Sequence, residues 1–366
     1  MMRVVFRTDA SIQIGTGHVM RCLTLADSLR LQGAECTFVC RSHKGHLIDL
    51  IHEKSYKTIA LEAYDSSEVQ GLEQSSQHLT WLGTDWATDV RDTQCAIHPD
   101  EIDWLIVDHY ALDHQWEHAM RPFCKHLMVI DDLADRQHDC DVLLDQNLGR
   151  TSTDYASLLP STSQTLIGPR FALLRPEFAQ MREVSLARRQ QPVLKHLLIT
   201  MGGIDKDNMT GQVLEILNQC ALPLDLRISV VMGSHAPWLE KIKALANVME
   251  RPTEVLVDVK QMAQLMVSSD LVIGAAGGTA WERCCLGIPS LITATASNQQ
   301  LGAQALASQF AAKQFETCDE LASLLKEVLS IEHGHQLLKQ MGQSASAISN
   351  GVGASLVAQE LRRVYA

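Results

Sequence analysis

Arg3–Leu31 reads RVVFRTDASIQIGTGHVMRCLTLADSLRL. Arg3–Arg7 is a short apolar run of strand type, Gly15 and Gly17 punctuate the chain, and Val19–Leu31 has the amphipathic spacing of a helix. Strand, glycine loop and helix in that order begin a βαβ unit. Working outward, the same alternation recurs at Thr37–Cys40, Trp104–Asp108, Leu127–Asp131 and Val142–Asp145. Runs such as Leu105-Ile106-Val107 and Met128-Val129-Ile130 are apolar without alternation, as expected of parallel strands covered on both faces. A breaker-rich stretch from Gly168-Pro169 to Gln191-Pro192 separates a second series. Its strands are His196–Thr200, Ile228–Met232, Leu271–Ile273 and Ser290–Thr293, and helices are expected at Thr210–Cys220, Trp238–Ala246, Met262–Ser268 and Thr279–Leu286. The pattern predicts an α/β chain of two doubly wound Rossmann-like domains, residues 1–178 and 179–366, facing one another across a cleft. A last helix, Ala354–Tyr365, is expected to pack back on the first domain.

Composition narrows the function classes. Of 366 residues, 46% are hydrophobic and 20% charged, the balance of an ordinary globular protein. Only 5% are aromatic and the formal charge is −12, which argues against base-stacking platforms, phosphate-backbone binding and anionic lipid. A small anionic ligand remains compatible, because a few backbone amides can hold phosphate on an acidic protein. The start of the chain lacks the apolar core of a signal peptide, and no segment approaches the roughly 20 apolar residues of a membrane span. The ten cysteines include Cys284-Cys285 but no CxxC, so reduced thiols in a cytoplasmic protein are expected.

Chemistry should lie beyond the carboxyl ends of the strands. In Gly15-Thr16-Gly17-His18 the glycines allow close backbone approach to a ligand, while His18 opens a helix. The third glycine of a dinucleotide fingerprint is replaced by Met20, which argues against a dinucleotide. An imidazole with a pKa near ~6.5, lowered further by a helix start, suits a general base; the alternative is a histidine that caps or packs the helix. Arg7 and Asp9 could orient it, line the pocket or form a structural ion pair. Met201-Gly202-Gly203-Ile204-Asp205 and Gly274–Glu282 (GAAGGTAWE) are further glycine turns leading into helices, where amides favour an anion. Glu282 could accept hydrogen bonds from ribose hydroxyls; otherwise it stabilises a helix start. His114-Gln115-Trp116-Glu117-His118 matches the HxxEH zinc spacing. No third ligand at a known spacing accompanies it, and solvent-facing helical histidines are the preferred reading.

Six segments in order, RTDASIQIGTGHVMRCLTLA, LIVDHYALDHQWE, VIDDLADRQHDCDVLLDQN, LIGPRFALLRPEF, MGGIDKDN and GAAGGTAWERCCLGIPSL, resemble one family over nearly the whole chain. It is the UDP-2,4-diacetamido-2,4,6-trideoxy-β-L-altropyranose hydrolases of pseudaminic acid biosynthesis. The resemblance implies a GT-B architecture, with His18 as the base for a water that attacks the anomeric carbon with inversion. It also implies no metal and no cofactor. By the same likeness the Gly277-Gly278-Thr279 turn meets the diphosphate, Glu282 binds the ribose, the backbone near Val259 holds the uracil and Asn298 faces the ligand. Tyr110 and Asn147 line the sugar side, and Gly17, Arg21, Gly202 and Gly203 join the substrate-binding set. Thr8 stands where the family usually has alanine, a departure that does not touch the chemistry.

The expected partner is a UDP-sugar, with neither nucleic acid nor membrane; the sequence carries no sign of oligomeric state. UDP leaves as a stabilised anion, so a general acid is dispensable, unlike the paired carboxylates of ordinary glycosidases. Closure of the domains would bring His18 toward a nucleotide held mainly by the second. The alternatives are a GT-B glycosyltransferase acting on a UDP-N-acetyl sugar and a non-catalytic UDP-sugar-binding protein.

Overall fold

The computed structural model describes residues 1–63, 78–97 and 101–365. They form two compact units, Met1–Leu173 with Gly353–Ala366, and Leu174–Val352. Unit 1 is built on seven strands: β1 (Arg3–Thr8), β2 (Glu35–Arg41), β3 (Lys57–Leu61), β4 (Ile102–Asp108), β5 (Cys124–Ile130), β6 (Val142–Asp145) and β7 (Gln164–Ile167). All pair in parallel, in the order β3-β2-β1-β4-β5-β6-β7. The order reverses between β1 and β4, and the register there sets Thr8 beside Asp108. The crevice beyond these two strand ends is where a doubly wound sheet binds its ligand.

One face of this sheet buries Phe6, Phe38, Trp104 and Met128; the other buries Val5, Leu105, Val129 and Trp116. The helix Gly353–Tyr365 belongs to the first of these cores through Val357, Ala358 and Leu361, which are fully buried. Burying each such branched side chain contributes about 1.5–3 kcal/mol. Its first residue has to be small: a Cβ on Gly353 would collide with the Ala172 carbonyl.

Unit 2 has six parallel strands: β8 (His196–Thr200), β9 (Arg227–Met232), β10 (Thr253–Val257), β11 (Leu271–Ala275), β12 (Ser290–Thr293) and β13 (Lys313–Gln314). Their order is β10-β9-β8-β11-β12-β13, reversing between β8 and β11. The two glycine turns of this unit follow those two strands. The stretch read above as a breaker-rich separation holds the helix Pro176–Arg188. Pro176 is its first residue, where proline's fixed φ and missing N–H suit a helix instead of ending it. Arg182 anchors this helix within unit 2 by donating to the carbonyls of Ser346 and Ser349. No helix among the described residues is long and apolar enough to cross a membrane.

Candidate active site

In unit 1 the chain leaves β1 through a tight loop before the helix Gly17–Leu31. Ser11 organises it: its hydroxyl accepts from the amides of Gln13 and Ile14, and its backbone bridges to Gly15, whose φ of +80° suits glycine. His18 is thereby set beside the end of β4. Its Nδ1 lies 2.6 Å from Oδ1 of Asp108, the buried last residue of that strand. An ionised carboxylate only accepts, so in the neutral imidazole Nδ1 carries the proton and Nε2 is the acceptor. Burial pushes the Asp108 carboxyl up, but the charge of Arg21 and the hydrogen bonds from Arg21 and His18 outweigh it and hold it well below the usual carboxylate range.

Arg21, one helical turn after His18, clamps the same carboxylate through Nε at 2.6 Å and Nη2 at 2.7 Å. The 3.4 Å approach of Nη2 to His18 Nδ1 follows from both groups donating to Oδ1. The remaining arm of Arg21 donates to Asp132 at 2.5 Å. Asp132 also accepts from the Tyr110 hydroxyl at 2.7 Å and from Asn147 Nδ2 at 3.2 Å. Tyr110 sets its ring edge-on to His18, with centroids 4.6 Å apart and an 85° interplanar angle. Trp81 stacks on Tyr110 at 5.7 Å, and His78 lies 5.3 Å from it. His18, Arg21, Tyr110 and Asn147 therefore share one hydrogen-bonded group, joined by Asp108 and Asp132.

Arg7 and Asp9 do not hold His18. Arg7 donates to Asp9 at 2.7 Å and to Asp89 at 2.7 Å, Arg41 donates to Asp89 at 2.6 Å, and all four side chains are fully buried. The Trp116 indole adds a bond to Asp89 at 3.0 Å. This buried ion cluster lies at the ends of β1 and β2. His109 belongs to it, with Nε2 3.4 Å from Asp9, and burial pushes its imidazole down to about 3.

The HxxEH residues do not converge. The His114 and His118 side chains are 42% and 82% exposed, while Glu117 is fully buried and accepts from His138 at 2.7 Å and the Asp139 amide at 2.5 Å. Among the described residues no group of three or more His, Cys, Asp or Glu side chains could hold a metal ion.

In unit 2 the remaining residues follow the carboxyl ends of four of the six strands: Gly202 and Gly203 after β8, Val259 after β10, Gly277–Thr279 after β11 and Asn298 after β12. Gly202 has φ +92°, and the Gly203 carbonyl accepts from Gly233 N. The amides of Met209 and Thr210, at the start of the next helix, are already bonded to Asp205, both at 2.9 Å. An anion at this turn would have to use the glycine amides themselves. Gly277 and Gly278 lead into the helix Thr279–Cys285, and Gln299, beside Asn298, reaches back toward Gly277. Glu282 is partly buried, with Arg175 at 3.8 Å. Burial, opposed by Arg175 and Arg283, pushes its carboxyl up to about 7.

Sequence reasoning missed the linking roles of Asp108 and Asp132 and the aromatic neighbours Trp81 and His78. The aspartates did carry a signal: each stands at or just past the end of an apolar strand. Nothing local marked the aromatic pair.

Residues 196–359 match the model of the glycosyltransferase family 28 C-terminal domain. A UDP-2,4-diacetamido-2,4,6-trideoxy-β-L-altropyranose hydrolase of Campylobacter jejuni is 26% identical over 285 residues, 78% of this chain and 89% of that protein. An uncharacterised protein of Methanocaldococcus jannaschii is 26% identical over 297 residues, 80% of this chain; the match spans only 55% of that protein. Among solved structures, MurG of Acinetobacter baumannii superposes with a TM-score of 0.70 at 15% identity, covering 99% of this chain and 100% of MurG. The architecture is α/β GT-B.

Proposed function

We propose that the chain is an enzyme that hydrolyses UDP-2,4-diacetamido-2,4,6-trideoxy-β-L-altropyranose to UDP and the free sugar. The observation that carries the reading is the Asp108–His18 pair, which leaves Nε2 of the neutral imidazole as a proton acceptor beside the carboxyl ends of β1 and β4. Water would attack the anomeric carbon as Nε2 takes its proton. The bond from that carbon to the diphosphate oxygen would break with inversion, its electron pair leaving with UDP. Amides of the Gly277–Thr279 turn would stabilise that charge without waiting for solvent to reorient. Tyr110, Asn147 and Arg21 would line the sugar, with Gly17 giving close backbone approach. Glu282 would take the ribose, the backbone at Val259 the uracil, and Asn298, Gly202 and Gly203 would complete the nucleotide side. The Campylobacter relative supports this substrate, and the matched family 28 domain favours a second reading, transfer to an acceptor hydroxyl.

The test is UDP release from that nucleotide sugar without acceptor, with a chelator, in ¹⁸O-water. Hydrolysis at carbon puts the label in the sugar and none in UDP. Absence of release, restored by an acceptor, would establish transfer instead.

Glu282 adds a pH dependence. Only the ionised carboxylate accepts from both ribose hydroxyls, so uridine affinity should rise as pH passes upward through about 7 and then level off. Glu282→Gln should flatten the profile; a variant that keeps the wild-type slope removes Glu282 from the ribose. The stability sign is opposite. The unfolded carboxyl titrates near ~4.3, so between there and about 7 the folded chain binds the extra proton, and this group's contribution to stability falls as pH rises.

A further inference from the structure

Arg283 is 2% exposed, yet it forms no ion pair with any described carboxylate. The other buried arginines of the site region are different: Arg7 and Arg41 meet Asp89, and Arg21 meets Asp108 and Asp132. Both side-chain hydrogen bonds of Arg283 go to neutral oxygens in one turn. Nη2 donates to the Ala275 carbonyl at 2.7 Å and Nη1 to the Thr279 hydroxyl oxygen at 3.1 Å. Glu282 acts on it at longer range and lies 3.8 Å from Arg175. Burial pushes the guanidinium down to about 10.

Arg189 makes a useful contrast. It too is buried without a carboxylate partner, but it donates to the carbonyls of Met266 and Ser269, at the end of the helix Met262–Ser268. A helix end carries partial negative charge that offsets the cation. Arg283 reaches back to the first residue of its own helix, where the partial charge is positive. No described carboxylate bonds it there and Glu282 offsets it only at longer range, and a buried charge of this kind is costly until an opposite charge arrives. The turn is also open to one. Thr279 is only partly buried, and a Cβ on Gly278 would meet nothing within 4 Å.

We infer that Arg283 is a positioning residue for anion binding at the Gly274–Thr279 turn: by donating to the Thr279 oxygen it turns the hydroxyl proton outward toward a diphosphate oxygen. The guanidinium occupies a lone pair of that oxygen, so the Thr279 O–H is free to donate and is polarised by the charge behind it. This rests on the reading of the turn as the diphosphate subsite.

Calorimetric titration of the full chain with UDP and with uridine separates the two. Wild type should bind UDP far more tightly than uridine; equal affinities would overturn the subsite reading itself, before any variant is made. Arg283→Met should then weaken UDP by about 10–100-fold, the range of a lost charge-assisted hydrogen bond, with uridine within about twofold. Thr279→Val should lose UDP selectively as well, the double variant should lose less than the two losses multiplied together, and Arg283→Lys should recover part of the affinity. Equal losses for UDP and uridine in Arg283→Met, or unchanged UDP binding, overturn the inference. If Arg283→Met does not fold, Thr279→Val decides: retention of full UDP affinity removes the proposed donor.

Discussion

His18→Ala should turn over UDP-sugar roughly 10²–10⁴-fold more slowly than wild type while its affinity for UDP stays within about twofold. The rate loss follows from removing the acceptor for the water's proton; the retained affinity follows from assigning the nucleotide to residues of unit 2. Asp108→Asn supplies the control for mechanism. Its side-chain amide can present N–H to His18, which would favour the tautomer with the proton on Nε2, the wrong atom. A loss of similar size is expected with the imidazole still in place, as in other histidine–aspartate pairs. Arg21 keeps its bond to Asp132 in that variant, so the local frame has a second anchor. Stopped-flow or coupled UDP-release assays read the rate, and titration with UDP reads the affinity. If His18→Ala retained a tenth or more of the wild-type rate, another group would have to be the base. If it lost UDP binding in proportion to rate, His18 would be a binding residue.

Asp89→Ala should cost about 3–5 kcal/mol, the usual result of breaking a buried ion pair from one side. Asp89 is fully buried and accepts from Arg7, Arg41 and the Trp116 indole. Its removal leaves two buried guanidinium groups with less negative charge between them and one indole N–H without its acceptor. Arg7 keeps Asp9, and Arg41 keeps Asp92 at 3.3 Å, so the loss stops short of abolishing both pairs. Burial raises the Asp89 carboxyl, but Arg7 and Arg41 outweigh it and hold it below its ordinary value. The folded pKa is therefore depressed, and the stability it brings is present above the unfolded value near ~3.9 and lost as pH falls through the folded one. Two units make a single unfolding free energy ill-defined. Hydrogen exchange on the full chain is the better measurement, with faster exchange expected at β1, β2 and β4 and little change in unit 2. A shift below about 1 kcal/mol at those amides would remove the cluster from the account of stability.

The central strands were legible because they are buried on both faces. β1, β4, β5, β6, β8 and β11 read as near-continuous apolar runs, and continuity is the signal of a parallel strand. The four strands that sequence reading did not find, β3, β7, β10 and β13, are the four sheet edges. KTIAL, QTLI, TEVLV and KQ are each half-exposed, so polar residues interrupt the apolar run. The candidate site divides in a similar way. His18, Gly277 and Glu282 announce themselves through local pattern, a glycine turn followed by a helix. Asp108 and Asp132 act on residues 90 and 111 positions away, to His18 and Arg21 respectively, and only the strand order brings them there. Arg283 offered no local clue, since an arginine in a short helix ordinarily faces water.

The helix Gly353–Tyr365 also sets an order of events during synthesis. The ribosome makes residues 174–352 before the segment that completes the first core, so unit 2 can fold while the cluster of Val4, Phe6 and Trp104 still lacks Val357 and Leu361. Unit 1 consequently waits, with one of its two apolar cores incomplete, for the time a ribosome takes to add about 180 residues, on the order of ten to forty seconds at ordinary elongation rates. That interval is when a chaperone would find something to hold.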